Sequence, residues 1–133
     1  MGAWGVGAFD NDTALDWLDT LERLGTEALL AAFQSIAEED ARIEVGEARI
    51  ALAAAEAVAA ARGHAPPDLP GELAEWVEAR GSAVDAALAA QAAGAVKRIH
   101  DASDLRDLWA EDDSAGEWDG RMGDLLERLR QSG

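Results

Sequence analysis

Carboxylates three residues apart recur along this chain: Asp16 and Asp19, Glu44 and Glu47, Glu72 and Glu75, Asp104 and Asp107. On a helix, side chains at i and i+3 project from one face, so two such pairs on facing helices could hold Mg²⁺ among oxygen ligands. The chemistry would be metal-dependent hydrolysis. It requires at least four acid side chains converging to ~2.0–2.6 Å of one point. The chain, however, carries 27 acids in 133 residues, and at that density pairs of this spacing arise on solvated faces by chance. The solvated reading outweighs the metal site.

Other reactive arrangements fail on their own terms. Asp10 and Asp12 open like a calcium loop, but that loop needs Gly at its sixth position and Glu at its twelfth, where Leu15 and Leu21 stand. Helix capping explains Asp10 and Asn11 without an ion. The two histidines are His64, in a proline-rich stretch, and His100, beside Asp101. A His–Asp metal centre needs further histidines that the chain lacks. There is no serine elbow, phosphate-binding glycine loop or HExxH, and the absence of cysteine removes thiol catalysis and Cys-ligated zinc. No catalytic, cofactor-binding or metal residue is therefore assigned, and the chain reads as closer to a binding protein than to an enzyme.

Charge is more informative. The net charge is −16, which argues against direct nucleic-acid binding, because phosphate contacts need clustered Lys and Arg. The density peaks between residues 101 and 119, where Asp101, Asp104, Asp107, Glu111, Asp112, Asp113, Glu117 and Asp119 face a single base, Arg106. Solubility is the plain reading of that run. The sharper one is a patch that steers a basic protein partner. Trp109 and Trp118 bracket it, and their helical spacing with leucines favours core positions over hot spots.

The elements that must carry these residues are helices. The sequence has 31 alanines and 15 leucines, no tyrosine and two phenylalanines, a composition that favours helix and leaves a β-sandwich or barrel without its usual residues. The expectation is one all-α domain over 1–133: six to seven helices, an extended Gly/Trp arm at 1–9 with Trp4 and Phe9 as plugs, and a Pro-rich connector at 63–70. Asp10, Asn11 and Asp12 start a first helix with Ala14, Trp17, Leu18, Leu21 and Leu24 inward, ended by Gly25. Thr26 would cap a second, with Leu29, Phe33 and Ile36 inward. The third, about 43–62, is alanine nearly all round and so should be central. A short helix at 71–80 follows, then a long one capped by Ser82 and striped by Val84, Leu88, Ala92, Val96 and Ile99, in which Gly94 would serve a close contact. Ser103 starts a turn of helix bearing Leu105, Leu108 and Trp109. A last helix from about 114 to 130 aligns Trp118, Met122, Leu125 and Leu129. No apolar run reaches the ~20 residues that cross a bilayer, and no signal-peptide pattern opens the chain, so a cytoplasmic location is expected.

The opening Met1-Gly2-Ala3-Trp4-Gly5-Val6-Gly7-Ala8-Phe9-Asp10-Asn11-Asp12, continued by Ala14 and Asp16-Trp17, resembles the bacterial family called domain of unknown function 4259. That family opens Met-Gly-x-Trp-Gly-x-Gly-x-Phe-x-Asn-Asp. Ser103-Asp104-Leu105, Leu108-Trp109, Glu111, Trp118 and Arg128-Leu129 look like its C-terminal motif. The resemblance implies a small helical domain with no established catalytic or binding residues. The sequence thus points to an acidic interaction module for a basic partner, of the immunity or antitoxin kind in its sharpest form. A metal-dependent hydrolase is the alternative.

Overall fold

The computed structural model describes residues 7–38, 43–67 and 69–132. Among the described residues there are seven α-helices and no strand: α1 (Asp12–Leu24), α2 (Thr26–Ala37), α3 (Val45–Ala61), α4 (Gly71–Arg80), α5 (Ala86–Asp101), α6 (Asp104–Ala110) and α7 (Ala115–Ser132). A 3-10 turn at Gly81–Ala83 joins α4 to α5.

Helix α3 organises the rest. Ala51 to Ala60 is buried without interruption, and each of the other six helices packs against it. The cause is side-chain size: alanine lets neighbouring backbones approach from every side, while the volume comes from the large residues opposite. Those include Phe33 and Ile36 on α2, Leu73 and Trp76 on α4, Ile99 on α5 and Trp118 on α7, all buried in one apolar cluster.

Helix ends follow local chemistry. Asn11 caps α1, its side-chain oxygen accepting from the Ala14 N–H at 2.8 Å, while its amide donates to Ala8 O at 3.2 Å. α3 ends in a double-bonded cap in which His64 N donates to Ala59 O (2.8 Å) and Gly63 N to Ala60 O (3.0 Å), with Gly63 at φ 95°. Ser103 caps α6 through the Arg106 N–H at 3.0 Å.

Several expectations need correction. Thr26 is the first residue of α2 rather than its cap; Gly25, at φ 63°, both ends α1 and precedes α2. Asp85, not Ser82, caps α5 by accepting from the Leu88 N–H at 3.0 Å, because the 3-10 turn intervenes. Leu24, expected inward, is 46% exposed, and Leu108 on the short sixth helix is 48% exposed. Gly94 makes no close contact: a Cβ there would meet nothing within 4 Å. Residues 7–10 form a turn closed by Asp10 N donating to Gly7 O (3.1 Å), with Phe9 buried in the core. Trp4 and the rest of the expected arm, residues 1–6, lie outside the described residues, as does Asp68 of the connector.

Candidate functional site

Two regions carry unusual chemistry: a cleft beside α3 and the acidic segment from the end of α5 to the start of α7.

Buried on α3 among the alanines are two charged residues, Arg49 and Glu56, 9% and 4% exposed. Seven residues apart, they lie two turns along one face of the helix. That face looks into a cleft of about 30 Å³ whose walls come from four places: Gly7, Ala8 and Asn11 of the first turn, α3 itself, Trp109 of α6, and Trp118 and Arg121 of α7. On the measure by which about 10–15 Å³ holds one water, this is room for a small polyatomic group.

The two charges differ in how they are satisfied. Arg128 of α7 grips Glu56 with both arms of its guanidinium, Nη1 to Oε1 at 2.7 Å and Nη2 to Oε2 at 3.0 Å. It also donates to Asp124 at 2.8 Å and to His64 O at 3.0 Å. Burial alone lowers the Arg128 pKa, but the hydrogen bonds and charges of Glu56 and Asp124 outweigh it, and the net shift is upward. Arg49 has no such set. No hydrogen bond or ion pair reaches it from the described residues, and burial lowers its pKa without opposition. An Arg nonetheless stays protonated in proteins, so the cleft holds an uncompensated positive charge.

The acidic segment runs over the outside of the same region. His100 Nε2 meets Asp119 Oδ1 at 2.9 Å, tying the end of α5 to the start of α7, and the His100 ring lies 5.8 Å from that of Trp118. His100 therefore pairs with Asp119, while its sequence neighbour Asp101 pairs with Lys97 at 3.0 Å. Asp107 lies 3.7 Å from Arg106, and Asp112 accepts from the Ser114 N–H at 2.8 Å. Asp104, half-buried, starts α6, and its N–H donates to Ile43 O at 2.8 Å. Glu111, Asp113 and Glu117 are exposed, with no ion-pair or hydrogen-bond partner among the described residues. On the same stretch Leu108 is half-exposed and Trp109 half-buried; Trp118 is buried, as its spacing predicts.

Of the i, i+3 carboxylate pairs, the structure brings one member each of two together. Asp19 and Glu72, with Glu22, place carboxylate oxygens within 4.8 Å of one another, all three on exposed side chains. Asp16 and Glu75 are not part of that group. The Glu44–Glu47 pair does local work instead. The two side chains form a reciprocal cap at the start of α3, and Glu47 also accepts from Ser35 at 3.2 Å. Asp104 and Asp107 sit in the first turn of α6, where carboxylates suit the helix dipole.

Residues 2–121 match the family described as a domain of unknown function, DUF4259. The chain belongs to that family. From Gly7 onward the DUF4259 opening motif is a physical unit: Gly7 N donates to Asp10 Oδ2 at 3.0 Å, Phe9 fills the core and Asn11 caps α1. Arg128 and Leu129, read in the sequence as part of a C-terminal motif, fall beyond the DUF4259 match. No curated protein and no solved structure matches the chain. No helix among the described residues is long and apolar enough to cross a membrane.

Sequence reasoning missed Arg49, and it named Arg128 only as part of the C-terminal motif, not as the partner of Glu56. A signal was present in both: Arg49 and Glu56 interrupt an otherwise apolar helix at a spacing of two turns, and Arg128 stands between Leu125 and Leu129 on the inward stripe.

Proposed function

We propose that this DUF4259 domain is a non-catalytic interaction module whose acidic segment, 101–119, docks a basic protein partner. The observation that carries the reading is the pairing of free charge with exposed apolar surface. Glu111, Asp113 and Glu117 are unneutralised by neighbours, and Leu108 stands one helical turn before Glu111, half-exposed. Acid alone serves solubility, whereas acid beside an exposed leucine offers a partner both steering and a dry contact. An inhibitor of a basic toxin, of the immunity or antitoxin kind, is the sharpest form of this proposal. A cytoplasmic location without nucleic-acid or membrane contact belongs to the same reading.

Salt tests it. At about 0.05 M salt the screening length exceeds 10 Å, and near 0.5 M it falls to about 4 Å, so electrostatic capture fades between the two. Pull-downs at low salt are expected to recover a basic protein that is released at high salt and not retained by the Glu111→Lys, Asp113→Lys, Glu117→Lys variant. Recovery of no basic partner, or binding indifferent to salt, overturns the reading.

The metal-dependent hydrolase keeps one observation in its favour, the Asp19, Glu22 and Glu72 group. It supplies three exposed carboxylates where buried, converging ligands are needed.

A further inference from the structure

We propose that the cleft between α3, α6 and α7 is a binding site for a small organic oxyanion, a carboxylate or phosphate head group, with Arg49 as its principal anchor. The argument starts from a cost. Buried cations are ordinarily paired, because a guanidinium held away from bulk water without a counter-charge is costly; the Arg49 nitrogens are left open to the cleft rather than sealed in the core. Glu56, two turns away on the same face of α3, obeys the rule: Arg128 closes on it with two hydrogen bonds. Arg49 breaks it. It is 91% buried by exposure, it lines an open cleft, and no carboxylate among the described residues reaches it.

Geometry narrows the occupant. Because Arg128 already neutralises Glu56, Arg49 is the cation lining the cleft that has no hydrogen bond or ion pair among the described residues, inside a molecule of net charge −16. The volume of about 30 Å³ admits a head group rather than a whole cofactor. The planar fork of Arg49 suits the paired oxygens of carboxylate or phosphate. Trp109, half-buried, also lines the cleft and supplies apolar surface for whatever body the anion carries out of it. This site is separate from the acidic docking segment in charge and in ligand, so either can stand without the other.

The test uses the full chain with inorganic phosphate and with benzoate as probes, against sodium chloride at matched ionic strength. Thermal unfolding is expected to shift upward by about 3 °C or more when an anion is near saturation. Benzoate outperforming phosphate assigns a carboxylate with an aromatic body, and the reverse assigns a phosphate. Arg49→Met removes the charge while keeping the stem. It should unfold no earlier than the wild type without anion, lose the anion-induced shift, and weaken calorimetric affinity at least ~10-fold, the value of one charge-assisted hydrogen bond. Arg49→Lys keeps a charge without the fork and should fall between the two. The proposal is overturned if neither probe shifts the wild type beyond chloride, if Arg49→Met responds as the wild type does, or if Arg49→Lys binds as tightly as Arg49.

Discussion

Glu56 and Arg128 face each other across the α3–α7 interface at 2.7 and 3.0 Å, a two-armed ion pair whose side chains are 6% and 12% exposed. Seventy-two positions apart in the chain, they join the central helix to the last one, and the Arg128 bond to His64 O draws in the connector as well. Removing Glu56 leaves the mostly buried Arg128 with the exposed Asp124 as its remaining carboxylate, and removing Arg128 strips Glu56 of its two-armed partner in the core. Glu56→Ala is therefore expected to lower stability by about 3–5 kcal/mol, read from urea unfolding. The double variant Glu56→Leu, Arg128→Met should recover most of that loss, since replacing both partners with apolar groups leaves no orphan charge. A double variant no more stable than Glu56→Ala would mean that the pair contributes something its geometry does not account for.

Capping at the start of α1 gives a sharp contrast. Asn11→Ala removes the oxygen that accepts from Ala14 N–H and the amide that holds Ala8, and should cost about 0.5–2 kcal/mol. Thr26→Ala, at the start of α2, removes no side-chain cap bond and should change stability by less than about 0.5 kcal/mol. Thermal or urea unfolding of the two variants side by side decides it.

Gly94 lies inside α5, exposed, with open space where a Cβ would be. Gly94→Ala should raise stability by about 0.5–1 kcal/mol by restricting the unfolded chain and improving helix propensity. A loss instead would restore the close-contact role that the sequence had suggested.

The Asp19, Glu22 and Glu72 group is measurable directly. Because all three carboxylates are exposed, millimolar Mg²⁺ is expected to move the melting temperature no further than sodium chloride at equal ionic strength. A larger shift that Asp19→Asn abolishes would revive the hydrolase reading.

Patterns of size and period were legible in the sequence, and partnerships were not. The alanine run at 51–61 announced a central helix because a helix apolar on all sides must be surrounded. The Trp118, Met122, Leu125, Leu129 stripe likewise reads correctly as inward. Helix starts were harder. Ser82 and Asp85 are both good caps, and the choice depended on Gly81, where an added Cβ would meet Ala61 and Val77 at 3.4 Å and which opens a 3-10 turn that takes in Ser82 itself. Leu24 and Leu108 obey helical spacing yet fall at helix ends, where no neighbour covers them. The acidic run was visible at once, but Glu111, Asp113 and Glu117 stand out as unpaired only when Lys97, His100, Arg106 and Ser114 are seen to engage Asp101, Asp119, Asp107 and Asp112. Arg49 is the extreme case: its lack of a counter-ion is a property of the surrounding space.

The alanine helix at the centre has a kinetic corollary. Any one peripheral helix that swings away leaves five neighbours in position round α3, so small openings give water little access to its backbone. The amides of Ala51 to Ala60 should consequently be the slowest in the molecule to take up deuterium, exchanging only when the entire chain comes apart.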